Sequence, residues 1–226
     1  MKKLHNHTLI ALYTLIIAST AIVLSNADLL LAYSVINPDN QWPGLSQTPW
    51  TELYTLAPIP GLLLAACSFV VLSAGFILSA LKKFRHQAMF IILLLALGPG
   101  LLVNGILKEH FGRPRPNELV DFGGDYHFVP IGQPGPAGEN SSFPSGHASI
   151  AFFVMAPWFI YRQRKPFRAY FFLWSGLAFG VAVGLARIMQ GGHFLSDVLW
   201  AGGLVYITGE VLACFFFMGN SHQVRI

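Results

Sequence analysis

The chain has 226 residues, 54% hydrophobic and only 11% charged, which is too apolar for a soluble surface and too poor in charge for a coiled coil or a disordered chain. Cys67 and Cys214 both lie in apolar runs, which argues against a disulfide framework or a thiolate zinc site and leaves them as packing residues. The net charge of +4 points to nucleic acid only if the basic residues cluster for that purpose, so their placement decides the matter.

Taken in chain order, six stretches reach or approach the roughly 20 apolar residues that a bilayer demands: 8–25, 57–81, 87–107, 147–161, 169–185 and 193–218. The fold class is therefore an all-α polytopic membrane protein with six transmembrane helices, built as a single domain over 1–226. Its chemistry-bearing part is 108–197. The fourth stretch is the shortest, and Ser145, His147 and Ser149 at its start suit a wet or protein-lined space. Ten of the fourteen basic residues fall at one end of these spans: Lys2 and Lys3, Lys82, Lys83 and Arg85, Arg162 to Arg168, and Arg225. The positive-inside rule makes that end cytoplasmic, together with both termini. The basic surplus is thus a topogenic signal with a secondary attraction to anionic headgroups, and no nucleic acid is needed to explain it. The apolar run after Lys2-Lys3 exceeds the usual signal-peptide core of about 7 to 15 residues, which favours a retained anchor over a cleaved leader.

Four basic residues break the pattern. Lys108, Arg113, Arg115 and Arg187 lie on the outer side, three of them at the edge of an apolar span. The step of seven residues from Lys108 to Arg115 is close to two helical turns. Pro114 and Pro116 remove amide donors and fix the chain, so 112–116 reads as a stiff turn that aims Arg115. Snorkelling to headgroups is the alternative, and for Arg113 the two readings are evenly matched.

A second polar group, Phe143-Pro144-Ser145-Gly146-His147, has the form of a helix entrance. Ser145 is a candidate cap, Gly146 allows close backbone approach, and the free amides with the positive dipole end suit an anion. Taken alone, such a group is more often just a capped helix. The third group runs from Arg187 to Asp197, with Gly191-Gly192 breaking the helix. His193 and Asp197 are four apart, so on a helix they share a face and the carboxylate can orient the imidazole. A polar pair that only ties helices together is the competing reading.

Together, Lys108-x6-Arg115-Pro116, Pro144-Ser145-Gly146-His147 and Arg187-x5-His193-x3-Asp197 resemble the three-part signature of the type 2 phosphatidic acid phosphatase superfamily. The order and internal spacings are intact. Ala186 stands where the family often carries serine before the third-element arginine, which puts a supporting contact in doubt. The resemblance implies catalytic roles for three residues: His193 as nucleophile forming a phosphohistidine, Asp197 orienting it, and His147 protonating the leaving alkoxide. It also implies that Lys108, Arg115, Ser145, Gly146 and Arg187 hold the phosphate, with no metal and no cofactor. Positioning and charge stabilisation carry most of phosphoryl transfer, and three cations can supply both without magnesium.

The leading expectation is an integral lipid phosphatase of the inner (cytoplasmic) membrane whose site faces the periplasm or exterior and acts on a phosphorylated membrane lipid. Candidate substrates are lipid A, phosphatidylglycerophosphate, undecaprenyl diphosphate and phosphatidic acid. A lipid-to-lipid phosphotransferase would use the same site. A metal hydrolase built on His110, His127, His147, His193 and Asp197 is disfavoured by the neighbouring cations. A transporter, suggested by Gly98-Pro99-Gly100 and Glu210, is disfavoured because the ionisable residues gather at one rim. Glu210 is read as a helix-packing residue at the inner boundary. The outer stretch 121–130 is expected to shape substrate entry.

Overall fold

The computed structural model describes residues 2–138 and 141–217. Glu139, Met218 and Arg225 fall outside that range. Among the described residues the chain is helical, with no pairing of strands beyond one bridge between Leu119 and Tyr126. The helices are α1 (Lys2–Leu24), α2 (Ala27–Val35), α3 (Trp50–Leu56), α4 (Pro58–Ala74), α5 (Arg85–Leu95), α6 (Gly146–Phe152), α7 (Ala156–Tyr161), α8 (Pro166–Met189) and α9 (Leu195–Phe217). Five helical stretches among them are long and apolar enough to cross a membrane: Asn6–Leu24, Trp50–Ala74, Arg85–His110, Pro166–Met189 and Leu195–Phe217. Large apolar side chains such as Ile17, Phe69 and Trp174 point outward at 68, 62 and 65% exposure, which suits a hydrocarbon solvent and no aqueous one.

The expected fourth span is where hydropathy and structure part. Gly146–Tyr161 is a shorter apolar helix, split into α6 and α7 by the tight turn Phe153–Met155. Pro157 in the first turn of α7 cannot donate a backbone hydrogen bond to the preceding turn, which is why the winding changes there. This helix packs against α8 and α9, and Phe153, Met155 and Ala156 are fully buried. Enclosed by protein, it has no need to match the bilayer thickness. The second span is also displaced, starting at Trp50 and ending at Ala74. Beyond it the chain turns so that Phe76 lies under the Arg85 guanidinium at 3.6 Å.

Glycine spacing lets several helices meet closely. Gly176, Gly180 and Gly184 recur every fourth residue of α8 and face Met155, Phe152 and Val198, so α6, the turn after it and α9 approach at backbone range. A methyl group at Gly176 would strike the Met155 backbone, whereas one at Gly98 meets Leu94 and Thr208 side chains at an ordinary 3.7 Å. Gly176→Ala is therefore expected to destabilise by about 1–3 kcal/mol, with Gly98→Ala tolerated. Thermal unfolding midpoints of the two variants in one detergent check this.

Of three apolar clusters among the described residues, two hold most of the buried apolar side chains. The larger contains Phe90, Leu94, Phe152, Phe159 and Val205 at mid-depth. The smaller, formed by Ala32, Trp42, Leu119, Phe122 and Phe194, joins α2 and the loops at the end where α9 begins. At the opposite end Glu210 is fully buried and is held by the Arg162 guanidinium, whose Nη2 donates to Oε2 at 3.0 Å. Glu210 is thereby accounted for as a packing residue, as a satisfied ion pair rather than a step on a transport path. Cys214 is half-buried, while Cys67 points outward.

Candidate active site

The first signature element leaves the third span through a π-helical stretch, Ala96–Leu107, that contains Pro99. Proline in a helix interior lacks a donor and crowds the carbonyl four residues back, and a wider winding relieves both. Asn104 Nδ2 donates to the Pro99 carbonyl at 2.6 Å. The helix then closes at His110. Gly112 follows at φ +65°, in the left-handed region that glycine accepts without strain. The chain beyond it is extended to Arg115, the stiff turn that the prolines predict. Lys108 Nζ donates to the Ser141 carbonyl at 2.9 Å, which leaves two of its three protons for a ligand. Arg115 is steered by Glu118, whose carboxylate lies 3.9 Å from Nε and accepts the Arg115 backbone N–H at 2.8 Å.

The second element is a helix start of the predicted form. Ser145 caps α6, its Oγ accepting from Ala148 N at 3.4 Å. Gly146 is required by a neighbour within the protein, because a Cβ there would collide with Asn104 Oδ1. The Ser145 N–H donates to the Asp197 carbonyl oxygen at 3.2 Å, and Asn117 N donates to Gly191 O at 3.0 Å. These two backbone bonds stitch the second and first elements onto the third. The His147 ring lies against Tyr54 of α3, centroids 4.6 Å apart, and the same tyrosine ring carries the Arg187 guanidinium at 4.7 Å.

The third element differs from its helical reading in one respect. α9 begins at Leu195, so His193 precedes the helix, in the turn that Gly191 (φ +63°) makes possible. Asp197 still approaches it, at 3.7 Å from Nδ1, but the closer acceptor is the Ser142 carbonyl at 2.7 Å. A carbonyl only accepts, so Nδ1 carries the proton and Nε2 keeps its lone pair. Burial pushes the imidazolium pKa down to about 3 against the opposing pull of Asp197, with Arg187 and Lys108 adding to the drop. His193 is therefore neutral at ordinary pH.

Behind His193 lies a buried charge network that the motif spacing does not reveal. Asp197 Oδ2 accepts from Ser142 Oγ at 2.5 Å and from Phe194 N at 2.7 Å. Its Oδ1 accepts from Arg113 Nη1 at 2.6 Å. Arg113, evenly balanced in the sequence between snorkelling and function, is fully buried. Nη2 donates to Asp28 at 2.9 Å and Nε to the Val129 carbonyl at 2.9 Å. The outer stretch 121–130 is thus a packed support: Phe122 sits beside Trp42, Phe128 edges against Phe194, and Val129 holds Arg113.

In front of the imidazoles the charge is positive. Lys108, Arg115 and Arg187 lie within electrostatic reach of one another and of His147. Arg187 is 8% exposed, backs onto Gly192, and donates through Nη1 to Gln190 Oε1. Its Nε is buried without a hydrogen-bond partner. Three mutually repelling cations and an unused buried donor form a cup suited to an anion. Tyr54, Ser142, Gln190, Asn104 and Asp28 belong to this assembly and carry no motif. Of these, only Asp28 had a readable signal, as the single carboxylate in the apolar run of α2.

Comparison with known proteins places the chain in a family. The family model of the PAP2 superfamily matches residues 87–220. A lipid A 4'-phosphatase of Francisella tularensis subsp. novicida is 38% identical over 136 residues, 60% of this chain and 60% of that one. A lipid A 4'-phosphatase of Rhizobium leguminosarum is 39% identical over 141 residues, 57% and 53% of the two chains. A lipid A 1-phosphatase of Rhizobium johnstonii is 30% identical over 136 residues, 56% and 49%. The chain thus spans about half to three-fifths of the length of the curated relatives it matches. In fold it is similar to the crystal structure of a transmembrane PAP2-type phosphatidylglycerolphosphate phosphatase from Bacillus subtilis, with a TM-score of 0.61 at 21% identity over 96% of this chain and 98% of that one. With more than half of its residues matched, with all three signature elements, and with a helical membrane fold to carry them, this chain belongs to the PAP2 superfamily.

Proposed function

We propose that the protein is an integral membrane phosphatase that hydrolyses a phosphate ester of a membrane lipid through a phosphohistidine intermediate. The observation that carries this reading is the buried, unpartnered Arg187 Nε at the edge of a three-cation cup that also adjoins a neutral imidazole. A tetrahedral phosphate oxygen supplies the missing acceptor, and its charge relieves the repulsion. His193 Nε2 gives its lone pair to phosphorus as the ester P–O bond breaks; the charge of the bound phosphate offsets the three cations around His147, so that ring enters the step protonated and the departing oxygen takes its proton. Water then attacks phosphorus, His147 recovers a proton, and the P–N electrons return to Nε2. Ser145 and the Gly146 amide assist Lys108, Arg115 and Arg187 in holding the phosphate.

The relatives favour a phosphate of lipid A as substrate, with phosphatidylglycerophosphate, undecaprenyl diphosphate and phosphatidic acid as the comparison set. The six-span layout has Gly146–Tyr161 as its short fourth member. Lys82, Lys83, Arg85 and the 162–168 cluster favour a cytoplasmic location for their end of the bundle, which turns the site to the periplasm. Phosphate release from detergent-solubilised protein, measured across the four lipids, tests the reading, and label transfer to a second lipid without free phosphate would replace hydrolase by phosphotransferase. Arg187→Gln is expected to lower kcat/KM by about ten- to a hundredfold, the worth of a charged hydrogen bond, while the unfolding temperature stays near wild type. An Arg187→Gln enzyme of full activity would remove the phosphate role of the cup.

A further inference from the structure

We propose that Asp28, on α2 and outside the residues 87–220 that the family model covers, is a positioning residue of the phosphoryl-transfer site. It holds, through Arg113 and Ser196, the Asp197 carboxylate behind His193. The inference rests on the reading of His193 as nucleophile. Asp28 is 3% exposed, and its side-chain hydrogen bonds run to Ser196 and Arg113. Its Oδ1 accepts from the Ser196 backbone N at 2.9 Å, capping the start of α9 from a different helix. Its Oδ2 accepts from Ser196 Oγ at 2.6 Å and from Arg113 Nη2 at 2.9 Å. Arg113 in turn donates through Nη1 to Ser196 Oγ at 2.8 Å and to Asp197 Oδ1 at 2.6 Å.

Charge explains why this link matters to the reaction as well as to the fold. Arg113 stands between two carboxylates, Asp28 and Asp197, so the trio carries one net negative charge on the side of His193. When Nε2 bonds phosphorus while Nδ1 keeps its proton, the imidazole becomes cationic. The surplus negative charge stabilises that cation, against Arg187 and Lys108, which face His193 from the cup. Without Asp28, the Arg113 charge is spent wholly on Asp197 and the surplus vanishes. Substrate phosphate is held elsewhere, by the cup, so the loss falls on the transition state and spares ground-state binding.

The test uses the full chain in detergent with p-nitrophenyl phosphate as substrate, and with orthovanadate and inorganic phosphate as inhibitors. Vanadate takes the five-coordinate geometry of phosphorus in transfer and bonds the nucleophile, whereas phosphate reports ground-state binding. Asp28→Asn is expected to lower kcat about ten- to a hundredfold with KM within about twofold. The vanadate inhibition constant rises by a similar factor, and the phosphate constant does not move. Unchanged kcat per folded molecule, or parallel shifts of KM and both inhibition constants, overturns the proposal in favour of a purely structural Asp28. Should Asp28→Asn fail to fold, Ser196→Ala removes the bridging hydroxyl and keeps both charges. It is expected to lower kcat alone by about threefold or more, and wild-type kcat there overturns the proposal. His193→Gln is measured alongside: vanadate sensitivity equal to wild type in that variant would refute the phosphohistidine reading itself, whatever Asp28 does.

Discussion

Replacing His193 by glutamine is expected to reduce lipid phosphate release by at least about four orders of magnitude, the scale on which nucleophile deletions act. The unfolding temperature changes little. The size of the effect follows from the geometry of one ring. The Ser142 carbonyl fixes the proton on Nδ1 at 2.7 Å, and burial holds the imidazolium pKa near 3, so at neutral pH essentially every molecule presents an unprotonated Nε2. Glutamine preserves a polar group of similar reach but has no lone pair able to form a stable bond to phosphorus. With a lipid labelled in its phosphate, wild type stopped during turnover is expected to carry acid-labile, alkali-stable label, as a phosphoramidate does, and the variant none. Retained turnover above about one per cent in His193→Gln would mean that water attacks phosphorus directly and that no covalent step is needed.

What the sequence displays and what it conceals divide along a physical line. The three elements were legible because each is local. Lys108 and Arg115 are brought into one region by a proline-stiffened turn, Ser145 caps the helix it begins, and His193 and Asp197 are four residues apart. Cations that an apolar chain tolerates only at cost stand out against their surroundings. The supports were hidden because they are not local. Asp28 meets Ser196 across a separation of 168 residues, and the acceptor of the His193 proton is a backbone carbonyl, which leaves no trace in residue identity. Tyr54, shared by His147 and Arg187, reads in sequence as an ordinary interfacial aromatic. The bundle itself was legible as apolar length, except at α6 and α7. There a shorter apolar helix is enclosed by protein, a property of its neighbours rather than of its own hydropathy.

Arg113→Met is expected to be the most destabilising single change at the site, by about 3–5 kcal/mol, because it strands two buried carboxylates without their counter-charge. Asp28 and Asp197 are 3% and 0% exposed, and neither can recover water without opening the junction of α2 and α9. Against a typical total stability of about 5–15 kcal/mol, such a loss is expected to appear as a sharp fall in monodisperse yield and in unfolding temperature. Lysine is no substitute. Arg113 serves Val129 O, Ser196 Oγ, Asp197 Oδ1 and Asp28 Oδ2 from three nitrogens in one plane, and a single ammonium cannot span that fork. Adding Asp28→Asn to Arg113→Met removes one of the stranded charges, so the double variant is expected to unfold at a higher temperature than Arg113→Met alone, the sign of direct coupling. That recovery separates charge burial from lost packing, since restoring an amide at Asp28 fills none of the volume that the guanidinium vacates against Phe194 and Phe128. An Arg113→Met protein as stable as wild type would mean that Asp28 and Asp197 stay buried without this counter-charge.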